Sequence, residues 1–243
     1  MGNKIKLLVS PRNIEEAKIT ISSNIDFIDC KNPEEGSLGA NFPWIIKKMK
    51  ELIPSNSNQL LSAAIGDFPN LPGSASLAAL GAAVSGADII KVGLEGPKNE
   101  AQGIRLMENV VKTINDYDSK IKIVAAGYAD QSRIKKSPEF LSIPTITSEA
   151  GADIAMLDTY LKDGKNLFDF LSIDQLIEFK NKAKDLNLQV ALAGNLNLNQ
   201  IEKIKLISPD IIGVRSAVCE GYDRNNGTIK ATLIEGLKLA LSS

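Results

Sequence analysis

One pattern recurs four times along this chain and constrains its fold more than any other feature. The segments Asp26-Phe-Ile-Asp-Cys-Lys31, Asp88-Ile-Ile-Lys-Val-Gly93, Asp153-Ile-Ala-Met-Leu-Asp158 and Asp210-Ile-Ile-Gly-Val-Arg215 each open on an aspartate and continue with apolar residues. The leading aspartates stand 62, 65 and 57 residues apart. Each interval holds two βα units, so the repeat predicts eight. Residues 5–10, 60–66, 121–127 and 188–194 read as the interleaved strands. The amphipathic stretches 14–23, 101–117, 173–186 and 228–241 read as helices between them. Short β-rich runs alternating with helical periodicity call for a parallel sheet. The expectation is one α/β domain over residues 1–243, closed as a (β/α)8 TIM barrel. An open doubly wound sheet is the alternative, but no G-x-G-x-x-G turn or Walker loop supports it.

The repeat also separates inside from outside. Counted from each leading aspartate, positions +2 and +4 are Ile28/Cys30, Ile90/Val92, Ala155/Leu157 and Ile212/Val214. All eight are apolar, as a face packed on helices requires, and strand alternation puts +1, +3 and +5 on the opposite face. There +1 is Phe27, Ile89, Ile154 or Ile211, which fills the lower barrel. The charges Asp29, Lys31, Lys91, Asp158 and Arg215 occur only at +3 and +5. Five charges are therefore expected inside the barrel at the carboxyl ends of strands, the catalytic face of barrel enzymes.

Composition narrows the chemistry. With 28 basic and 29 acidic residues the net charge is −1, so no overall field draws nucleic acid or a membrane, and neither is expected as a partner. Histidine is absent, which removes the usual general base and the commonest metal ligand. No metal and no cofactor is expected. Two cysteines, Cys30 and Cys219, allow no disulfide framework, and the cytoplasm is the expected location. The uncharged run 68–87 contains Pro69 and Pro72 and is mostly Ala, Gly and Ser. It reads as a loop followed by a buried helix rather than a membrane span. Lys6 stands where a myristoylation signal needs Ser or Thr, so Gly2 is expected to be unmodified.

Lys31 and Lys91 would be confined near each other and near two carboxylates. Burial and a like charge both favour a neutral amine, and a neutral lysine attacks carbonyls to form a Schiff base. A structural ring of ion pairs, Lys–Asp–Lys–Asp, is the competing reading. Asp29 and Asp158 suit either a proton-transfer role or a salt bridge to these lysines. Lys162 either folds back over the site or stands in solvent. Gly194 and Asn195 after the seventh strand, and Gly213, Arg215, Ser216 and Ala217 at the end of the eighth, occupy the usual phosphate loops of a barrel. Arg215 would add a charged donor fork. Otherwise Gly194 and Gly213 serve only tight turns. Residues 223–227 form either an N-cap or a second anion pocket. The loop 32–44 is long enough to cover the site. Trp44 is expected in the core or an interface, Cys30 is expected to pack outward, and Tyr128 is a lone candidate proton donor.

Several motifs carry a resemblance that runs nearly end to end. They include Leu8-Val-Ser-Pro11, Asp29-Cys-Lys-Asn-Pro33, Glu35-Gly-Ser-Leu-Gly-Ala-Asn-Phe-Pro-Trp44 and Ile90-Lys-Val-Gly93. Ala125-Ala-Gly-Tyr-Ala-Asp130, Met156-Leu-Asp-Thr159, Lys162-Asp-Gly-Lys165 and the stretch 221–227 belong with them. Together they resemble the (5-formylfuran-3-yl)methyl phosphate synthases of methanofuran biosynthesis. The resemblance implies a class I aldolase-like lyase barrel that condenses two molecules of glyceraldehyde 3-phosphate into a furan aldehyde phosphate. It implies a Schiff-base lysine at Lys31, a proton-accepting lysine at Lys91, and supporting groups at Asp29, Asp158 and Lys162. It also implies isomerisation, aldol joining, phosphate elimination, cyclisation and dehydration. Cys30 departs from the apolar residue expected there, but it faces outward. Two other readings stand beside this one: an ordinary class I aldolase or isomerase of triose phosphates, and a non-catalytic barrel that binds a phosphometabolite. The expected partner is a small triose phosphate, with a homo-oligomer left open.

Overall fold

The computed structural model describes residues 4–242, so Gly2 lies outside the described residues. Eight parallel strands close in chain order: β1 (Lys6–Val9), β2 (Phe27–Cys30), β3 (Leu60–Asp67), β4 (Ile89–Gly93), β5 (Lys122–Tyr128), β6 (Ile154–Asp158), β7 (Gln189–Leu192) and β8 (Ile211–Val214). β8 returns to β1, with Leu7 opposite Ile212 and Val9 opposite Val214. The helices around them are α1 (Ile14–Ser22), α2 (Pro43–Leu52), α3 (Pro72–Val84), α4 (Glu100–Asp118), α5 (Ile143–Glu149), α6 (Ile173–Asp185), α7 (Ile201–Ile207) and α8 (Ala231–Ser242). This is the closed (β/α)8 barrel expected from the fourfold repeat. Local chemistry sets the helix starts. Asn13 and Asn99 accept the N–H groups of Glu16 and Gln102, Ser172 and Gln175 form a capping box, and proline opens α2 and α3.

The two faces of the strands divide as their alternation requires. Ile28, Cys30, Ile90, Val92, Ala155, Leu157, Ile212 and Val214 all join the cluster between strands and helices. Phe27, Ile89, Ile154 and Ile211 join a separate cluster inside the barrel, with Leu8, Val124 and Met156. α3 is buried along Ala75, Ala79, Ala82 and Ala83, while Trp44 stands 64% exposed and stacks on Phe42 rather than entering the core. No helix among the described residues is long and apolar enough to cross a membrane.

The leading aspartates have a shared structural task at the amino end of the barrel. Asp26, Asp88, Asp153 and Asp210 each accept a backbone N–H from the preceding strand: those of Leu7, Leu61, Ile123 and Val190. The bonds are 2.7–2.9 Å long, and Lys50, Lys122 and Lys184 pair with the last three carboxylates. The repeat is thus a set of staples that ties each even strand to the odd strand before it. Asp88→Ala strands the buried Leu61 N–H and leaves Lys50 without its carboxylate. It should lower stability by about 1–3 kcal/mol, with Asp88→Asn closer to the parent. Urea unfolding checks this: an Asp88→Ala midpoint equal to the parent's would remove the staple role.

Candidate active site

The carboxyl ends of the strands gather the charges. Lys91, on the inward face of β4, reaches across β3 to Asp29 on β2, Nζ to Oδ1 at 2.6 Å, and both side chains are fully buried. Ser10, just past β1, donates its Oγ–H to the other Asp29 oxygen at 2.7 Å. On the far wall Asp158 ends β6. Its Oδ1 accepts from the Thr159 N–H and from Lys162 Nζ, each at 2.7 Å. Lys162 also donates to the Thr159 carbonyl at 2.6 Å, so it does fold back over the site.

Lys31 stands between these two pairs and belongs to neither. It is buried, yet its Nζ has no hydrogen bond or ion pair among the described residues. The competing reading, a ring of ion pairs, is therefore not what forms: Lys91 and Lys162 are paired with carboxylates and Lys31 is not. Burial pushes the Lys31 amine down to about 7. The carboxylates of Asp29 and Asp158 oppose that shift, while Lys162 and Lys91 reinforce it. Burial also lowers Lys162, against the pull of Asp158. Burial raises Asp158, but Lys162 and Lys31 outweigh it and hold the carboxyl below its ordinary range. At pH 7 roughly one ordinary lysine in a few thousand is neutral. Lys31 is near half neutral and has no competing donor role, which is the state a nucleophilic amine needs.

These groups line one cavity, which Gly194, Asn195, Gly213, Arg215 and Ser216 complete. Ala217 is buried and does not line it. Among the described residues, no protein acceptor takes the N–H groups of Asn195, Ser216 or Ala217. The Asn195 side chain instead donates to Gly164 O at 2.7 Å and holds the loop after β6. Arg215 corrects an expectation, because it is not a free fork. Its Nη1 donates to Ser10 O and Glu16 Oε2, both at 2.8 Å, and its Nε to Arg224 O at 3.1 Å. Glu16, buried in the first turn of α1, sets this arrangement. Burial raises its carboxyl, but Arg215 and Arg12 outweigh burial and keep it low. Arg224, from the 223–227 stretch, lines the mouth, and its guanidinium has no hydrogen bond or ion pair among the described residues. Of this stretch only Arg224 lines the cavity, while Asp223 accepts the N–H groups of Asn225 and Asn226 in a turn well before α8.

The loop after β2 closes over the mouth. Ser37 donates to Thr159 O at 3.0 Å, and Leu38 is buried in the inner barrel cluster. Gly39 allows this turn, because a Cβ there would stand 2.3 Å from Asn32 O. Sequence reasoning missed Asp67. β3 shifts register between Ala64 and Asp67, with Gly66 at φ +100°, and the bulge turns Asp67 toward Tyr128. Tyr128 donates to both Asp67 oxygens, at 2.7 and 2.9 Å, so its proton is already committed. Burial raises Asp67 to about 6; Tyr128 and the Glu95 N–H counter this, while Glu95 and Asp158 add to it. Simple alternation would have pointed residue 66 inward, so only the turn signal at Gly66 hinted at this. Among the described residues no cluster of three or more metal-ligating side chains occurs.

Fold and site together define a (β/α)8 barrel with a buried lysine–carboxylate centre at the carboxyl ends of its strands. Solved barrels share that architecture. A 3-hexulose-6-phosphate synthase superposes with a TM-score of 0.65 at 14% identity, covering 97% of this chain and 99% of that one. Orotidine 5'-monophosphate decarboxylase of Methanocaldococcus jannaschii gives 0.62 at 15%, covering 98% and 100%. The 4-HFC-P synthase family model matches residues 7–238. The (5-formylfuran-3-yl)methyl phosphate synthase of M. jannaschii is 53% identical over 96% of this chain and 97% of its own length. That of Archaeoglobus fulgidus is 52% identical over 98% and 99%. The chain belongs to the 4-HFC-P synthase family, the (5-formylfuran-3-yl)methyl phosphate synthases, and is an enzyme.

Proposed function

We propose that the chain condenses two molecules of glyceraldehyde 3-phosphate into (5-formylfuran-3-yl)methyl phosphate through a Schiff base on Lys31, as a lyase serving methanofuran biosynthesis. The observation that carries this reading is the unpaired, buried Lys31 amine, held near neutrality between two lysine–carboxylate pairs. The stoichiometry closes: two triose phosphates lose one orthophosphate and two waters to leave one six-carbon furan monophosphate. Lys31 attacks the carbonyl carbon, the carbonyl oxygen leaves as water, and the iminium draws electrons from the neighbouring C–H bond. Lys91 passes its proton to Asp29 across their 2.6 Å contact, and the amine so freed accepts the substrate proton; Asp158 and Lys162 serve the opposite wall. The open N–H groups of Asn195 and Ser216 suit a substrate phosphate, with Gly194 and Gly213 keeping the wall low. The Arg215 fork braces this wall instead of gripping the anion. Two buried free cysteines fit a cytoplasmic location.

Borohydride reduction in the presence of glyceraldehyde 3-phosphate, read by intact mass, tests the imine. An adduct is expected on Lys31. Its initial rate should rise with pH up to about 7 and then level off, because the ammonium loses its proton there. A rate still climbing tenfold per pH unit between 8 and 10 would mean an ordinary lysine is reacting. Failure to trap any adduct while furan forms would remove the Schiff-base reading.

A further inference from the structure

The reaction proposed above brings two phosphate monoesters into one mouth, and the open N–H groups beside Lys31 suit one of them. Outside Lys162 lies a vestibule of about 320 Å³, between the loop after β6 and the loop after β8. It shares Lys162, Asn195, Ser216 and Arg224 with the lysine cavity, so the two spaces adjoin. A second phosphate therefore has space in the vestibule, outward of the one suited to the N–H groups beside Lys31.

The carboxylates lining this vestibule are already used. Asp163 pairs with Arg133 at 2.5 Å, and Asp223 accepts the N–H groups of Asn225 and Asn226. Lys162 is held by Asp158. Arg224 is half-buried, and its guanidinium has neither a hydrogen bond nor an ion pair among the described residues. Lys165 forms no ion pair among the described residues and stands 5.7 Å from the centroid of the Phe170 ring. The uncommitted charge of the vestibule is therefore positive.

Its walls are also held in place. Arg215 Nε and Arg12 Nη1 donate to the carbonyls of Arg224 and Asn225, while Asn195 holds Gly164. A partly desolvated guanidinium on a fixed loop is unfavourable until an anion meets it, and its planar fork matches phosphate.

We propose that this vestibule is a second phosphate-monoester site, where Arg224 and Lys165 hold the phosphate of the second triose. The assignment rests on the two-triose reading above. Orthophosphate, which that reaction releases, shares the same chemistry, so the test separates the two. The whole chain is titrated calorimetrically with glycerol 3-phosphate and with orthophosphate, as the parent, Arg224→Gln and Lys165→Gln. The parent should take up glycerol 3-phosphate at two sites. Arg224→Gln should weaken one of them by about tenfold to a hundredfold, the size of a lost charge-assisted bond, and leave the other. Lys165→Gln should weaken the same site by less. In turnover the Arg224→Gln KM should rise with kcat within about threefold, and trapping on Lys31 should persist. Affinities unchanged in both variants, or weakening for orthophosphate alone, overturn the assignment. Calorimetry needs no imine, so failed trapping with two intact phosphate sites would count against the Schiff base and not against the vestibule.

Discussion

Lys31→Arg should abolish both the borohydride adduct and the furan product while leaving the fold in place. A guanidinium keeps its proton at any working pH and so has no lone pair with which to attack a carbonyl. The position is buried beside the carboxylates Asp29 and Asp158, which accommodate a positive charge there. The arginine variant therefore isolates nucleophilicity from charge. Intact-mass trapping and product detection check it together. Residual furan above about one part in a thousand of the parent rate would show that another amine carries the chemistry. Peptide mapping of the parent adduct would then name it, and a label on Lys91 or Lys162 with Lys31 free would reverse the assignment.

Lys91→Ala should behave differently. It removes the proposed proton acceptor and leaves the nucleophile, so trapping should persist while furan turnover falls by roughly 10²–10⁴, the range for a lost acid–base group. Lys91 is among the charges that hold the Lys31 amine down, and Asp29, which pulls it up, is freed from its 2.6 Å partner. The Lys31 pKa should rise, and the trapping profile should move to higher pH. Removing one member of a buried ion pair also costs about 3–5 kcal/mol. The surviving adduct is itself the evidence that the variant is folded. Turnover within fivefold of the parent, with an unmoved profile, would leave Lys91 as a structural partner of Asp29 only.

Particular residues show how far the chain alone could be read. The two faces of the even strands were legible because alternation is a local rule: Ile28 and Cys30 had to face one way if Phe27, Asp29 and Lys31 faced the other. That one rule placed Lys31, Lys91, Asp29 and Asp158 in the same mouth before any contact was known. The leading aspartates were legible as a repeat but not as staples, because their partners, such as the Leu61 N–H for Asp88, lie a strand earlier. Asp67 escaped the same alternation because a bulge interrupts it.

The family and the parts of its site were thus encoded in order along the chain, through periodicity, spacing and motif. The charge state of each part was decided only in three dimensions. Three lysines look alike in sequence. Closure of the barrel gives Asp29 to Lys91 and Asp158 to Lys162, and leaves Lys31 buried without a partner among the described residues. Two arginines near the last strand look equally suited to an anion. Glu16, some 200 residues away in sequence, takes Arg215 and leaves the Arg224 guanidinium unpaired among the described residues at the mouth. The physical reason is the same in both cases. Residue type and strand register follow from local geometry, whereas ion pairing and desolvation depend on neighbours that only the closed fold brings together.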